Sequence, residues 1–383
     1  MKPYWSLETA FFYILLGLLA MWVVEISCNK KEFRNWNVYL FIWIIVWTII
    51  AAFRKVAIGI GGTDALNYID FFYRCNQSSN DEIFLHLSDD MGYYWINKIL
   101  NFICPNHYFF FIVVYGFMVY SFALFYKVFV PVKTNLLPYI LTVYLFVRGF
   151  NTLRSNLAIS IILIAIVLFY YKKYWWTFVF SIIAVSVHKA SLLFVLLFPI
   201  VYLFKNRTIS SSSILLLFIL SFLLSNSLRI FVLNFFNGMS FEGAYSSYIS
   251  SDKNLLDIWG IFFEQLLLGA FLLFCNKKIQ IYKNSLSIEF FNKVDLIYQL
   301  CVFDIILVPI NIALGNWRGY EFFYLPRIIM WGILLYIILK NQPQRFRLIF
   351  SFSLFIIIGF WLLFRWNSTY EDSSLMPYVF SLL

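Results

Sequence analysis

The sequence predicts an all-α integral membrane protein with about twelve transmembrane helices and interfacial helices in its outward loops. Three observations carry this. Of 383 residues 62% are hydrophobic, only 13% are charged, and apolar runs of spanning length recur along the whole chain. Soluble chains hold roughly 45–50% apolar and about 25% charged residues, so 13% cannot clothe a water-facing surface of this size. A mean hydropathy of +0.80 and 46 phenylalanines agree. Soluble enzymes, secreted disulfide scaffolds and disordered chains are excluded together.

A helical span needs about 20 predominantly apolar residues. Runs cover about 9–27, 38–53, 108–130, 135–151, 155–171, 211–233, 258–276, 294–314, 323–340 and 346–364. The first lacks a small-residue cleavage site and reads as a retained span. The stretch 174–204 is too long for one span, and His188-Lys189 divides it into two short halves. At about 1.5 Å per residue, a half of some 14 residues climbs only about 21 Å. The turn at His188 is therefore expected below the membrane surface. Both halves together bring the count to twelve in a single polytopic domain, residues 1–383.

Every second loop is rich in lysine: Lys30-Lys31, Lys127 with Lys133, Lys172-Lys173, Lys205, Lys277-Lys278 and Lys340 mark one face. By the positive-inside rule that face is cytoplasmic, which places both termini outward. The same asymmetry explains the net charge of +10 without nucleic acid. Outward loops are expected at about 54–107 and 234–257. They carry amphipathic stretches such as Ala65 to Phe72, suited to lying along an interface. Five scattered cysteines make no metal site; Cys75 and Cys104 share one outward segment, yet unpaired thiols are the simpler reading.

The outward face holds eight of the twelve arginines but five of the seventeen lysines. Arginine's permanently charged fork binds phosphate oxygens bidentately and tolerates partial burial. An anion site on that face is one reading. Pairing with acids such as Asp64, Asp89, Asp90 or Glu321 is the other. The turn that holds Arg148 and Arg154 contains no acid. His188, recessed beside Lys189 and Ser191, is a candidate phosphate donor or proton carrier, or simply a structural histidine at a helix end. Asp304 and Glu264 lie within spans, where each needs a buried partner. Gly59 to Asp64 is glycine-rich without the lysine of a nucleotide loop; it reads as a place where backbone approaches a ligand closely. HExxH, GxSxG and DxD elements are absent, which argues against a metalloprotease, a serine hydrolase and a metal-dependent sugar-nucleotide transferase. Tyr68, Tyr93, Trp317 and Tyr320 are either interfacial belt residues or sugar-stacking ones.

At these residues the sequence resembles the EpsG-like branch of the bacterial O-antigen and exopolysaccharide (Wzy-type) polymerases. Arg54 with Gly62-Thr63-Asp64, Tyr68 and Phe72 is similar to an R…GxD…Y…F signature. Asp90-Met91-Gly92-Tyr93 with Asn97 is similar to an E-x-G-Y…LN element, with aspartate here in place of glutamate. Arg148 to Arg154 followed by Leu157-Ala158, then His188 to Ser191, Trp317 to Tyr320, and Pro377-Tyr378 complete the pattern.

The resemblance runs from about residue 50 to the end. It implies a glycosyltransferase of the bacterial inner membrane that joins undecaprenyl-diphosphate-linked oligosaccharide repeat units on the periplasmic side. Donor and acceptor would both be lipid-linked glycans; a flippase and a chain-length regulator are the expected partners. On this reading Arg54, Arg148, Arg154 and Arg318 bind diphosphate, and His188 or Asp64 takes the acceptor proton. Tyr68, Tyr93, Trp317 and Tyr320 contact substrate. Neither cofactor nor metal is expected, because guanidinium groups supply the positive charge. Asp90 is not among the expected site residues. A flippase for the same lipids, or another membrane transferase such as an O-antigen ligase or acyltransferase, is the alternative.

Overall fold

In the computed structural model the described residues are 8–9, 11–19, 33–58, 60–76, 87, 90–129, 149–204, 209–237, 255–313, 319–347, 349–350, 353, 356–357 and 379–381. Among them the regular structure is helical, and the only β features are isolated bridges at Arg54–Phe380 and Ala57–Ile60. Among the described residues three helices are long and apolar enough to cross a membrane: His107–Phe129, Leu153–Tyr170 and Glu321–Leu339. Shorter apolar helices cover Phe41–Ala52, Tyr174–Val187, Lys189–Phe204 and Ser211–Leu224. Large apolar side chains such as Phe41, Trp175 and Phe178 point outward, which suits a lipid solvent. This is a helical membrane protein.

The chain forms two compact units, one of Met1–Lys189 with Ile338–Leu383 and the other of Ala190–Ile337. In the first, α1 (Phe33–Ala52), α2 (Ala65–Arg74), α3 (Met91–Ile103), α4 (His107–Phe129), α5 (Leu153–Tyr170) and α6 (Tyr174–Val187) follow in order. Helix α5 is the centre. It is apolar on all faces and buried almost throughout, packing on α4 and α6, while α1 packs on the far side of α4. A helix apolar all round has no solvent face and belongs in a core or a bilayer. Two of its polar residues bond locally: Asn156 donates to the Thr152 hydroxyl at 2.7 Å, and Ser160 to the Asn156 carbonyl at 2.8 Å.

Lys172, at φ 59, takes the left-handed conformation that reverses the chain after α5. Helix α6 then runs back alongside α5 and stops at His188, whose backbone is extended (φ −155, ψ 110). A 3-10 turn, Lys189–Ser191, follows. The break expected within 174–204 is present.

Helix α2 forms where the amphipathic stretch was read, burying Ala65, Tyr68, Phe71 and Phe72 on one face. Phe71 stacks on Tyr93 of α3 with ring centres 5.8 Å apart. Helix α3 packs against α6 because Gly92 has no side chain. A Cβ there would fall 2.2 Å from Ser186 Oγ and 2.8 Å from the Ser186 carbonyl carbon.

The second unit contains the short helix Leu192–Val195, α7 (Leu197–Phe204), α8 (Ser211–Asn237), α9 (Leu255–Asn284), α10 (Ile288–Ala313) and α11 (Tyr324–Leu339). Helix α10 packs on both α8 and α9. Its buried acids find partners: Asp295 pairs with Lys283, and Asp304 with Arg327. Cys75, Cys104, Cys275 and Cys301 are free thiols.

Candidate functional site

In the first unit three ionisable side chains meet where three helix ends converge. Asp90 occupies the N-cap position of α3, yet its carboxylate does not cap that helix. It is 3% exposed. Oδ2 lies 2.9 Å from Nη1 of Arg154, in the first turn of α5, and 3.4 Å from Nδ1 of His188, just past the end of α6. Oδ1 accepts the backbone N–H of Lys189 at 3.3 Å. One carboxylate therefore joins a guanidinium, an imidazole and a chain break. Burial alone would raise the Asp90 pKa. The hydrogen bond and charge of His188, the Arg154 charge and the Lys189 N–H outweigh it and hold the carboxyl below its ordinary value.

The helix lengths place this cluster along the bundle. Helix α5, with 18 residues, rises about 27 Å, and α6, with 14, about 21 Å. Both adjoin the Lys172-Lys173 turn, so Arg154 and His188 lie toward their other ends. A buried ionised group needs partners, and the cluster supplies them.

Beside it lies a second knot built on Arg54, which is 2% exposed. Its Nε donates to Gly61 O at 3.0 Å, Nη1 to Ala51 O at 2.5 Å, and Nη2 to Phe150 O at 3.1 Å and the Tyr115 hydroxyl at 2.9 Å. The rings of Phe111, Tyr115 and Phe150 lie 4.6–4.9 Å from the guanidinium carbon. Arg54 thus ties the end of α1 to the glycine loop and to the turn that leads into α5. Gly61 (φ +82) and Gly62 (φ +109) sit where a Cβ would collide with Lys55 O and Phe150 O. The close approach read from the glycine run is made to the protein's own backbone. The Asp64 N–H, two residues on, donates to Asn151 Oδ1 at 2.8 Å.

Of the residues expected from sequence, Arg54, Asp64, Tyr68, Tyr93, Arg154 and His188 all lie in this unit. Arg154 and His188 meet on Asp90. Arg54 was read as a diphosphate ligand; here its donors face carbonyls and a phenol, which is the geometry of a tether. Tyr68 and Tyr93 pack edge to face, 6.0 Å apart, and Tyr93 is fully buried. Arg148, Trp317 and Arg318, and the Tyr320 side chain, lie outside the described residues. Sequence reasoning missed Asp90 as the hub, and missed Asn151 and Tyr115 as its neighbours' supports. The available signal was an acid two residues before a glycine that α6 requires.

No curated protein and no solved structure matches the chain. The EpsG family model matches residues 37–380, a span that runs from within α1 through α11 and includes the Arg54 knot and the Asp90 cluster. The chain belongs to the EpsG family, a family of polysaccharide and O-antigen polymerase-like membrane proteins.

Proposed function

We propose that the protein polymerises undecaprenyl-diphosphate-linked oligosaccharide repeat units at the periplasmic face of the inner membrane, without a metal ion. Within the family match, the observation that carries this reading is the buried Asp90–Arg154–His188 cluster just inside the lysine-poor end of α5 and α6. It sets a cation and an oriented imidazole at a depth that a lipid headgroup reaches from the bilayer.

The reaction forms a bond between an acceptor hydroxyl oxygen and the anomeric carbon of the donor. It breaks the bond from that carbon to the diphosphate oxygen. Negative charge grows on the departing diphosphate, and the hydroxyl proton must be taken up. Arg154 meets the first need by dividing its guanidinium between Asp90 and a phosphate oxygen; Arg148 and Arg318 are diphosphate-binding candidates by their sequence pattern alone. Losing one such contact costs about 3–4 kcal/mol, by analogy with oxyanion donors.

His188 meets the second need better than Asp64. With Nδ1–H donating to Asp90, its Nε2 is the basic end of the ring, the orientation used wherever a carboxylate steers a histidine base. Apo contacts of 3.3–3.4 Å, as at His188 and Lys189, commonly tighten when substrate binds. Tyr93 and Tyr68 line the sugar side. Arg54 holds the loop and turn that carry Asp64 and Arg154.

The test is purified protein supplied with lipid-linked repeat units alone, in chelator and with no sugar nucleotide. A ladder of lipid-linked oligomers is expected, and His188→Ala should remove it while lipid diphosphate still binds. No ladder, or a ladder only with added Mg²⁺, contradicts the reading. Reporter fusions at Asn80 and Asn284 should report opposite compartments; finding them on one side contradicts the orientation.

A further inference from the structure

The last residues of the chain are bonded to the Arg54 knot. Lys55 donates its N–H to Val379 O at 2.7 Å, and Ser381 donates its N–H to Phe53 O at 2.7 Å. Between them Arg54 and Phe380 form an antiparallel bridge. The Phe380 ring lies 6.2 Å from that of Phe53, which itself stacks on Tyr108 at the start of α4. All of these residues belong to the first unit.

Physically, the tail completes the end of α1. The last carbonyls of a helix have no intrahelical donor and must be satisfied from outside. The Arg54 guanidinium serves Ala51 O, and the Ser381 N–H serves Phe53 O. The two bonds from 379 and 381 flank Arg54, whose side chain is directed at Gly61 O and Phe150 O. Phe150 is four residues before Arg154, and Gly61 three before Asp64. A tail some 325 residues away in sequence therefore fixes the segment from which both loops are tethered.

We propose that residues 379–381 are positioning residues of the candidate site: a C-terminal strap that, through Arg54, sets the glycine loop and the turn leading into Arg154. They touch no substrate, and their effect passes through backbone. The activity readout rests on the polymerase reading; the exchange readout does not.

The decisive substitution is Ser381→Pro, which deletes the N–H, compared with Ser381→Ala, which keeps it. Among the described residues the Ser381 hydroxyl has no hydrogen-bond partner, so alanine keeps the backbone N–H and removes none of the contacts that define the strap. We expect Ser381→Pro to lower polymer turnover at least tenfold with membrane abundance within twofold of wild type, and Ser381→Ala to match wild type. Removing residues 379–383 should act at least as strongly. Equal ladders from Ser381→Pro and wild type would overturn the proposal. Amide exchange provides the second measurement. Lys55 should be protected in the wild type, and Ser381→Pro should speed exchange at Lys55 and in residues 60–64 together. A wild-type Lys55 amide exchanging at the open-chain rate would overturn the strap even if no activity were measured. Protection intact with no wild-type ladder would instead contradict the polymerase reading.

Discussion

Two buried carboxylate–arginine pairs, one in each unit, show how the same chemistry is put to different ends. Asp304 and Arg327 lie within helices α10 and α11. The contact is bidentate, Nε to Oδ2 at 2.6 Å and Nη2 to Oδ1 at 3.0 Å, and Gln265 adds a donor to Oδ1 at 3.1 Å. Asp90 and Arg154 sit at helix ends, where one guanidinium nitrogen meets an oxygen already shared with His188. The first arrangement saturates the carboxylate with short contacts between regular elements. The second spreads its contacts over three helix ends beside a glycine loop. A saturated pair fixes helix register; under the proposed function a shared pair at helix ends would exchange a partner for an incoming anion.

The comparison is broken most sharply by single truncations. Arg154→Ala and Asp90→Ala should reduce polymer turnover by roughly 100–1,000-fold, the loss expected for one oxyanion-type contact. Arg154→Lys should restore little, because the fork geometry is lost. Arg327→Ala and Asp304→Ala should act on the protein itself. Leaving one charge of a buried pair uncompensated costs about 3–5 kcal/mol, measured as reduced membrane abundance and a lower unfolding temperature. A stable, abundant Arg327→Ala protein without polymer would erase the distinction.

A smaller effect is expected at the contact that brings Asp90 to His188. Gly92→Ala puts a methyl group into Ser186 and must separate α3 from α6. Turnover should fall about tenfold, with partial recovery in Gly92→Ala/Ser186→Gly. The recovery is partial because backbone of Ser186 also lies within 3 Å. The fold-changes rest on about 1.4 kcal/mol per factor of ten in rate. No loss of turnover would show that the α3–α6 spacing does not set the cluster.

The smallest effect is in pH. The Asp90 pKa is lowered in the folded protein, so its pairing stabilises above the unfolded aspartate value of about 3.9. That contribution is lost as pH falls through the lower folded value. The part of the difference in unfolding temperature between wild type and Asp90→Asn that comes from Asp90 ionisation should be complete above about pH 5 and shrink only near pH 4 and below. A difference that vanishes between pH 7 and 6 would place the controlling group elsewhere.

Much of this molecule is legible in its sequence because lipid simplifies the code. Apolar length gave helices such as α4, α5 and α11, and lysine alternation required a break within 174–204, which falls at His188. The period of Tyr68, Phe71 and Phe72 gave α2, and Asp304 declared its need for a partner by its place in an apolar run. Pairing was not legible. Nothing local distinguishes Asp90 from Asp64 or Asp89 as the acid that answers Arg154, since the choice is made by α3 closing on α6 through Gly92. Arg54 read as an anion ligand because a buried arginine and a phosphate-binding one look alike until the carbonyls of residues 51, 61 and 150 converge on it. The bridge to Phe380 joins residues too far apart for any periodicity to reveal.

The most direct measurement replaces each pair by apolar residues of similar volume and asks only for polymer. Such replacements are often neutral or stabilising where a buried pair serves structure alone. Asp304→Leu/Arg327→Met and Asp90→Leu/Arg154→Met would be purified and given lipid-linked repeat units in chelator. The account predicts a full ladder from the first protein and none from the second, both folded and equally abundant. A ladder from the Asp90→Leu/Arg154→Met protein would contradict it.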